Sequence, residues 1–389
     1  MRLLAACSLG GAGHLNPLLP FLDAAHSSGS EVLVVGPPAL ETTVRDAGFS
    51  FHAGGEPEEA DIAPIRERLL TAPRAEATVV GNRDLFGRLA TSAMLPAMEE
   101  VCQGWHPDLV LREPCEYASA VVASSRSIPI AQVAISTAAG ERRSIDAAAP
   151  VLEQLRRGLV DELTQSPYLT RFPASMDPTV FVSTLRYRET RHGVSRALPD
   201  WWHGSRAPIV YVTLGSVLGH MTIAPRAFEI LLDAAAQLRD VRVLLTTGRA
   251  AEASTSARIP PHVHVETWVN QADVLNSASV VICHGGSGTT LGSLAAGVPM
   301  VVVPFFADQF DNAEHVRRAG AGIVIDLPRR PDGSLDLDDG ASIASRIALA
   351  TDEVAQVRSF TAAASKLSNE LASRMGPGAA LAHIVSSHA

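Results

Sequence analysis

The run Val280-Val281-Ile282-Cys283-His284-Gly285-Gly286-Ser287-Gly288-Thr289-Thr290 sets a β-branched apolar strand directly against a Gly-rich turn and the start of a helix. A helix N-terminus carries unpaired N–H groups and partial positive charge, and glycines let that backbone approach an anion closely. A plain strand-to-helix turn needs one glycine, so three glycines and a histidine point to a phosphate-binding loop. No Lys or Arg occurs between Arg258 and Arg317, so neutralisation of an anion here would rest on the backbone, the hydroxyls of Ser287 and Thr289, and His284. The Gly-Lys-Ser/Thr ending of a Walker loop is absent.

Outward from this run, short β-branched or Leu-rich segments alternate with Ala/Leu-rich amphipathic ones, the pattern of parallel sheets wrapped by helices. In the first half the strand-like runs are 2–8, 31–35, 108–112 and 130–135; in the second they are 209–213, 242–246, 263–266, 280–283, 300–303 and 323–325. Both halves read as doubly wound. The stretch 195–208, with two prolines, a glycine and the pair Trp201-Trp202, suits a linker. Two domains are therefore expected, 1–207 and 208–389, with the last helix packing back on the first. Residues 53–93, rich in charge, Pro and Gly, and 140–171, which read as helix and loop, are candidate walls of an acceptor pocket.

At 389 residues and 47% hydrophobic content, the chain has enough apolar material for two cores. The formal charge is −9, no basic stripe is present, and Lys366 is the only lysine among 32 basic residues, which speaks against nucleic acid as a partner. Cys7, Cys102, Cys115 and Cys283 are far apart and form no Cys-x-x-Cys pair, so neither a zinc site nor a disulfide framework is signalled. No apolar run reaches the roughly 20 residues of a membrane span, and too few apolar residues precede Cys7 for a signal peptide. A cytoplasmic protein is expected, and a homodimer is compatible with the sequence.

In open α/β sheets ligands gather at the carboxyl ends of strands. His14, Glu113, Ser216, His284, Thr289, Asp308 and Gln309 all follow strand-like runs. The first loop, Ser8-Leu9-Gly10-Gly11-Ala12-Gly13-His14-Leu15-Asn16-Pro17, resembles a dinucleotide fingerprint, but Asn16 holds the place of its third glycine and Val35-Gly36 stands where a ribose-binding carboxylate would end the second strand. NAD is thereby disfavoured. His14 has the chemistry of a general base or of a helix-capping side chain, and Glu113 that of its orienting carboxylate or of a solvated loop acid. Trp268 suits stacking on a nucleobase or a partly buried edge. Asp308 can act as an N-cap or, with Gln309, hold sugar hydroxyls. The acidic string at Asp336 and Asp338 reads as loop and cap, not as metal ligands.

These residues resemble the actinobacterial antibiotic-type family 1 glycosyltransferases of the GT-B fold, two Rossmann-like doubly wound domains facing a central cleft. The resemblance runs along nearly the whole chain. It is most specific from Trp268 to Gln309, where Trp-Val-Asn-Gln, His-Gly-Gly-Ser-Gly-Thr, Ala-Gly-Val-Pro and Asp-Gln follow in the family's order; Gly-His-Leu-Asn-Pro at 13–17 and Thr-Leu-Gly-Ser at 213–216 agree. It implies that His14 activates the acceptor, with Glu113 standing where the family usually has Asp. It also implies that His284, Gly285, Gly286, Ser287, Gly288 and Thr289 hold the diphosphate and that Ser216 adds a phosphate contact. Trp268 and Val269 would meet the base, and Asp308 and Gln309 the sugar. Members using uridine donors carry a Glu eight residues after the motif histidine, whereas this chain has Gly292. A thymidine diphosphate (TDP) donor carrying a deoxysugar is the resulting expectation.

The mechanism so implied is direct displacement with inversion, moving the sugar to a small hydrophobic natural product such as a polyketide. The TDP-sugar is a co-substrate, and no cofactor or metal is required. Two alternatives stay open at this point: a nucleotide-sugar epimerase on the same architecture, and a catalytically silent auxiliary partner.

Overall fold

Strand β1 (Arg2–Ala6) puts Leu3 and Ala5 into one apolar cluster and Leu4 and Ala6 into another, because successive side chains of a strand point to opposite faces. A strand buried on both faces reads as a continuous apolar run, which is why the sequence reveals it. The first cluster is closed by Phe21, Leu22 and Ala25 of the helix Leu19–Ser27 and by Ala380, Leu381 and Ile384 of the helix Pro377–His388. The second is closed by Met94, Met98 and Val101 of the helix Thr91–Trp105 and by Val122 and Ala123 of the helix Ala118–Ser125.

The computed structural model describes residues 1–8, 11–188, 196–215, 218–248, 259–331 and 333–388. The chain divides into one unit of Met1–Thr190 with Arg374–Ala389 and a second of Arg191–Ser373. This division falls ahead of Ala207, where composition placed it. Within the expected linker, the residues from 196 onward belong to the second unit: Trp202 Nε1 donates to His262 O at 3.1 Å, and Trp201 stacks on His264 with ring centroids 4.6 Å apart.

In the first unit β1, β2 (Glu31–Gly36), β3 (Ser50–Ala53), β4 (Leu109–Arg112), β5 (Ile130–Val133), β6 (Tyr168–Thr170) and β7 (Thr184–Arg186) form one parallel sheet in the order β3-β2-β1-β4-β5-β6-β7. In the second, β8 (Ile209–Thr213), β9 (Arg242–Thr246), β10 (Val263–Glu266), β11 (Ala278–Cys283), β12 (Met300–Val302) and β13 (Gly322–Val324) are ordered β10-β9-β8-β11-β12-β13, again all parallel. Both sheets are doubly wound. Each expected run holds a strand, while β3, β6 and β7 were not expected. Three or four residues are too few to show a period, and β6 lies inside the stretch read as helix and loop.

Each strand order reverses at one place, between β1 and β4 in the first sheet and between β8 and β11 in the second. Adjacent crossovers leave there in opposite directions and open a crevice at the carboxyl edge. Those two edges carry the residues that follow.

One buried acid bears on stability rather than on the site. Glu141, in the helix Ala138–Leu155, accepts the N–H groups of Ile135 and Ser136 at 2.7 Å each, tying down the turn after β5. Burial pushes its carboxyl up to about 8 against those hydrogen bonds. The folded group therefore keeps a proton that the unfolded chain sheds near 4.5, so its contribution to stability falls as pH rises between those values. Glu141→Gln keeps the accepting oxygen and cannot ionise. Its unfolding free energy relative to wild type, read by urea denaturation, should climb from pH 5 to pH 8, by at most about 1.4 kcal/mol per pH unit. A difference that stays flat with pH would contradict this reading.

Candidate functional site

At the β1/β4 switch, Glu113 stands directly after β4 and is fully buried. The turn that carries it is pinned by Arg112, also fully buried, whose guanidinium donates to Pro114 O at 2.6 Å, Glu116 O at 2.5 Å and Gln132 Oε1 at 3.0 Å. Glu113 Oε1 accepts from the Ser8 N–H at 3.1 Å and the Ser8 hydroxyl at 2.5 Å. Its Oε2 accepts the Cys115 N–H at 2.7 Å and lies 3.1 Å from His14 Nδ1. Burial would push the Glu113 carboxyl up, but the His14 charge and the hydrogen bonds from His14, Ser8 and Cys115 hold it below the ordinary carboxylate range. An ionised, immobilised carboxylate on Nδ1 fixes the imidazole tautomer and leaves Nε2 as the proton acceptor.

His14 sits in the short helix Ala12–Leu15, with its side chain 18% exposed while Glu113 is covered. The Phe86 ring lies beside it, centroids 6.0 Å apart and tilted by 33°. Phe86 comes from a π-helix, Val80–Ala90, inside the stretch that composition marked as a pocket wall; such wide turns recur at functional sites because they re-aim side chains. Cys115 brings a third potential ligand atom within 4.8 Å of those of His14 and Glu113. Both Glu113 oxygens are already taken by N–H and O–H donors, however, an arrangement that suits a base and its orienting acid.

At the β8/β11 switch the loop after β11 runs into the helix Ser287–Ala295, whose first turn has Gly286 before it and no side-chain cap. Gly285 lies at φ +84°, and a Cβ on it would come within 2.9 Å of the Gln309 carbonyl. The half-buried His284 ring packs against the backbones of Gly215 and Gly286. Burial lowers its pKa to about 4. Without a bound anion it is therefore uncharged at neutral pH and can offer a hydrogen bond from its ring. Ser287 and Thr289 are buried in the first turn, and Ser287 Oγ donates to Asp308 Oδ2 at 2.9 Å.

Two models of the erythromycin biosynthesis protein CIII-like family match the chain, the N-terminal domain over residues 23–215 and the C-terminal domain over residues 229–386. The elloramycin glycosyltransferase ElmGT of Streptomyces olivaceus is 34% identical over 348 residues, which are 84% of this chain and 87% of that one. The L-demethylnoviosyl transferase of Streptomyces niveus is 30% identical over 91% of this chain and 90% of its own. The chain belongs to the erythromycin biosynthesis protein CIII-like family of antibiotic glycosyltransferases. It is a glycosyltransferase, and its two doubly wound parallel sheets match the GT-B structure of the spinosyn rhamnosyltransferase SpnG, at TM-score 0.78 and 25% identity over 99% of this chain and 100% of that one. SpnG has also been solved complexed with thymidine diphosphate and with spinosyn aglycone.

The glycosyltransferase brings together His14 with Glu113 in one unit, and His284, the glycines, Ser287, Thr289, Asp308 and Gln309 in the other. Trp268 is 75% exposed and Val269 half-buried just after β10. Ser216 lies outside the described residues. Asp308 and Gln309 differ from the picture of two side chains open to a sugar. Asp308 Oδ2 is held by Ser287 and by Asn312 Nδ2 at 3.1 Å, and Gln309 Oε1 accepts the Phe305 and Phe306 N–H groups at 2.9 and 3.1 Å.

Two residues escaped the sequence reading. Asn312, fully buried, reaches Gly285 O at 2.8 Å and Ser287 Oγ at 3.0 Å, lacing the Gly-rich loop to the helix Gln309–Arg318. Its place four residues after Asp308, one helical turn on, was the available signal. Gln271 has a buried Nε2 with no hydrogen-bond partner among the described residues, 3.4 Å from where a Cβ on Gly292 would stand. Its Oε1 lies 3.5 Å from Thr289 Oγ1. Gln271 ends the Trp-Val-Asn-Gln motif, so its neighbourhood was marked while its donor was not.

No helix among the described residues is long and apolar enough to cross a membrane.

Proposed function

We propose that this glycosyltransferase moves a deoxysugar from a TDP-sugar to a small hydrophobic natural-product acceptor, with inversion at the anomeric carbon and His14 as the general base. The observation that carries the base assignment is the 3.1 Å pairing of His14 Nδ1 with a buried carboxylate held below the ordinary carboxylate range. Nε2 takes the proton of the acceptor hydroxyl as its oxygen attacks the anomeric carbon. The bond from that carbon to the diphosphate oxygen breaks, and the electron pair leaves on the nucleotide. Glu113 stabilises the imidazolium that forms, without taking its proton.

The N-terminus of the helix Ser287–Ala295 and the neutral His284 would receive the departing charge through hydrogen bonds and the helix dipole, so the reading calls for no metal ion. Support for a thymidine donor comes from Gly292, where a carboxylate able to hold both ribose hydroxyls is replaced by hydrogen, and from the TDP-bound structure of SpnG. The unpartnered amide nitrogen of Gln271 is suited to a single oxygen on the nucleoside or its phosphates.

The test is incubation with TDP-deoxysugars and a panel of hydrophobic aglycones, read by mass spectrometry for the acceptor plus one sugar. Sugar transfer that needs the acceptor supports the proposal. An isomerised donor formed without acceptor would replace it with epimerisation.

A further inference from the structure

Glu113 differs from the Asp of the family resemblance by one methylene, and a longer side chain has one more bond to fix before its carboxylate faces the base. The structure shows how that freedom is removed. Because β1 and β4 are adjacent and parallel, with Ala6 opposite Arg112, the residues that follow them emerge side by side. Ser8 thereby meets Glu113 with two donors on one oxygen: its N–H at 3.1 Å and its hydroxyl at 2.5 Å, both on Oε1. Oε1 is the oxygen turned away from the imidazole; Oε2 is left for the Cys115 N–H and for His14. Ser8 is itself only 5% exposed, so no water competes readily for its hydroxyl.

A carboxylate gripped at Oε1 from two directions cannot rotate about its terminal bond without breaking a buried hydrogen bond, whose partner would then be stranded. Two backbone N–H groups, of Ser8 on Oε1 and of Cys115 on Oε2, also hold the carboxylate, and the Ser8 hydroxyl adds the shortest of the three bonds. We propose that Ser8 is a positioning residue of the transfer reaction, its hydroxyl aiming Glu113 Oε2 at His14 Nδ1. The inference rests on the reading of His14 as the base. Ser8 acts through Glu113, the side chain that both of its donors meet.

The test compares Ser8→Ala, Ser8→Cys and Ser8→Thr by steady-state kinetics and by TDP titration. Alanine removes the donor, cysteine is near-isosteric with a weak donor, and threonine keeps the hydroxyl. Turnover should fall about tenfold in Ser8→Ala and nearly as far in Ser8→Cys, with acceptor KM and TDP affinity within about twofold of wild type. Ser8→Thr should recover most of the loss. In a Glu113→Gln background, Ser8→Ala should lower kcat little further, since the two act as one unit. Wild-type turnover in both Ser8→Ala and Ser8→Cys, an equal loss in Ser8→Thr, or an undiminished second loss on top of Glu113→Gln would overturn the proposal. His14→Ala separates the two layers: if it is impaired while Ser8→Ala is not, only Ser8 loses its role, and if it turns over normally, the base reading fails first.

Discussion

His14→Ala should lower turnover by about 10² or more while TDP binds as it does to the wild type. The first half follows from the role proposed for the imidazole. An acceptor hydroxyl is a poor nucleophile until its proton is removed, and Nε2 is the basic atom that Glu113 holds in the accepting tautomer. Alanine leaves the carboxylate with Ser8 and Cys115 as its donors but removes the acceptor of the proton. The second half follows from placement, because the nucleotide is assigned to the loop after β11 in the second unit, whereas His14 follows β1 in the first. Loss of TDP affinity in step with turnover would mean that His14 is a binding residue. Unchanged turnover would remove it from the base role.

Gly286→Ala should abolish measurable nucleotide binding, a loss of at least about 100-fold in affinity. A Cβ at this position would meet three atoms of the half-buried His284 ring, with Cε1 at 2.9 Å and Cδ2 at 3.3 Å, and Nε2 closer still. The ring is constrained on a second side as well. Its other flank lies against Gly215, where φ is +69° and an added Cβ would come within 2.7 Å of the same ring. Relief moves either the His284 ring or the loop, whose N–H groups at the start of the helix Ser287–Ala295 are the proposed diphosphate ligands together with that ring. The sheet beneath, β8 to β13, is not involved, so far-ultraviolet circular dichroism should be preserved. Wild-type TDP affinity in this variant would show that the diphosphate does not use this loop.

The sequence disclosed those parts of the fold that physics makes repetitive. Strands buried on both faces, such as β1, β8 and β11, are continuous apolar runs and can be read directly, whereas the three residues of β6 or β7 carry no pattern to read. Trp201 and Trp202 lacked periodicity and so resembled a linker, yet they pack on His264 and His262 of the second unit; such contacts connect residues about 60 positions apart and leave no local trace.

The site was legible to the extent that function sits after strands. His14 and Glu113 could be paired from their places at two strand ends, because the switch point of a doubly wound sheet brings those ends together. What stayed hidden depended on burial and on side-chain direction. The neutral state of His284 comes from desolvation, the engagement of Asp308 with Ser287 and Asn312 from helix packing, and the grip of Ser8 on Glu113 from the register of β1 against β4. None of these is a property of residue type or spacing alone.

The central claim, that the Gly-rich loop of the second unit holds a nucleoside diphosphate and favours thymidine, is tested most directly by calorimetric titration of the protein with TDP, UDP and NAD in the presence of a chelator. Tight binding of TDP, weaker binding of UDP and none of NAD are expected. Failure of both diphosphates to bind, or a preference for UDP over TDP, would contradict it.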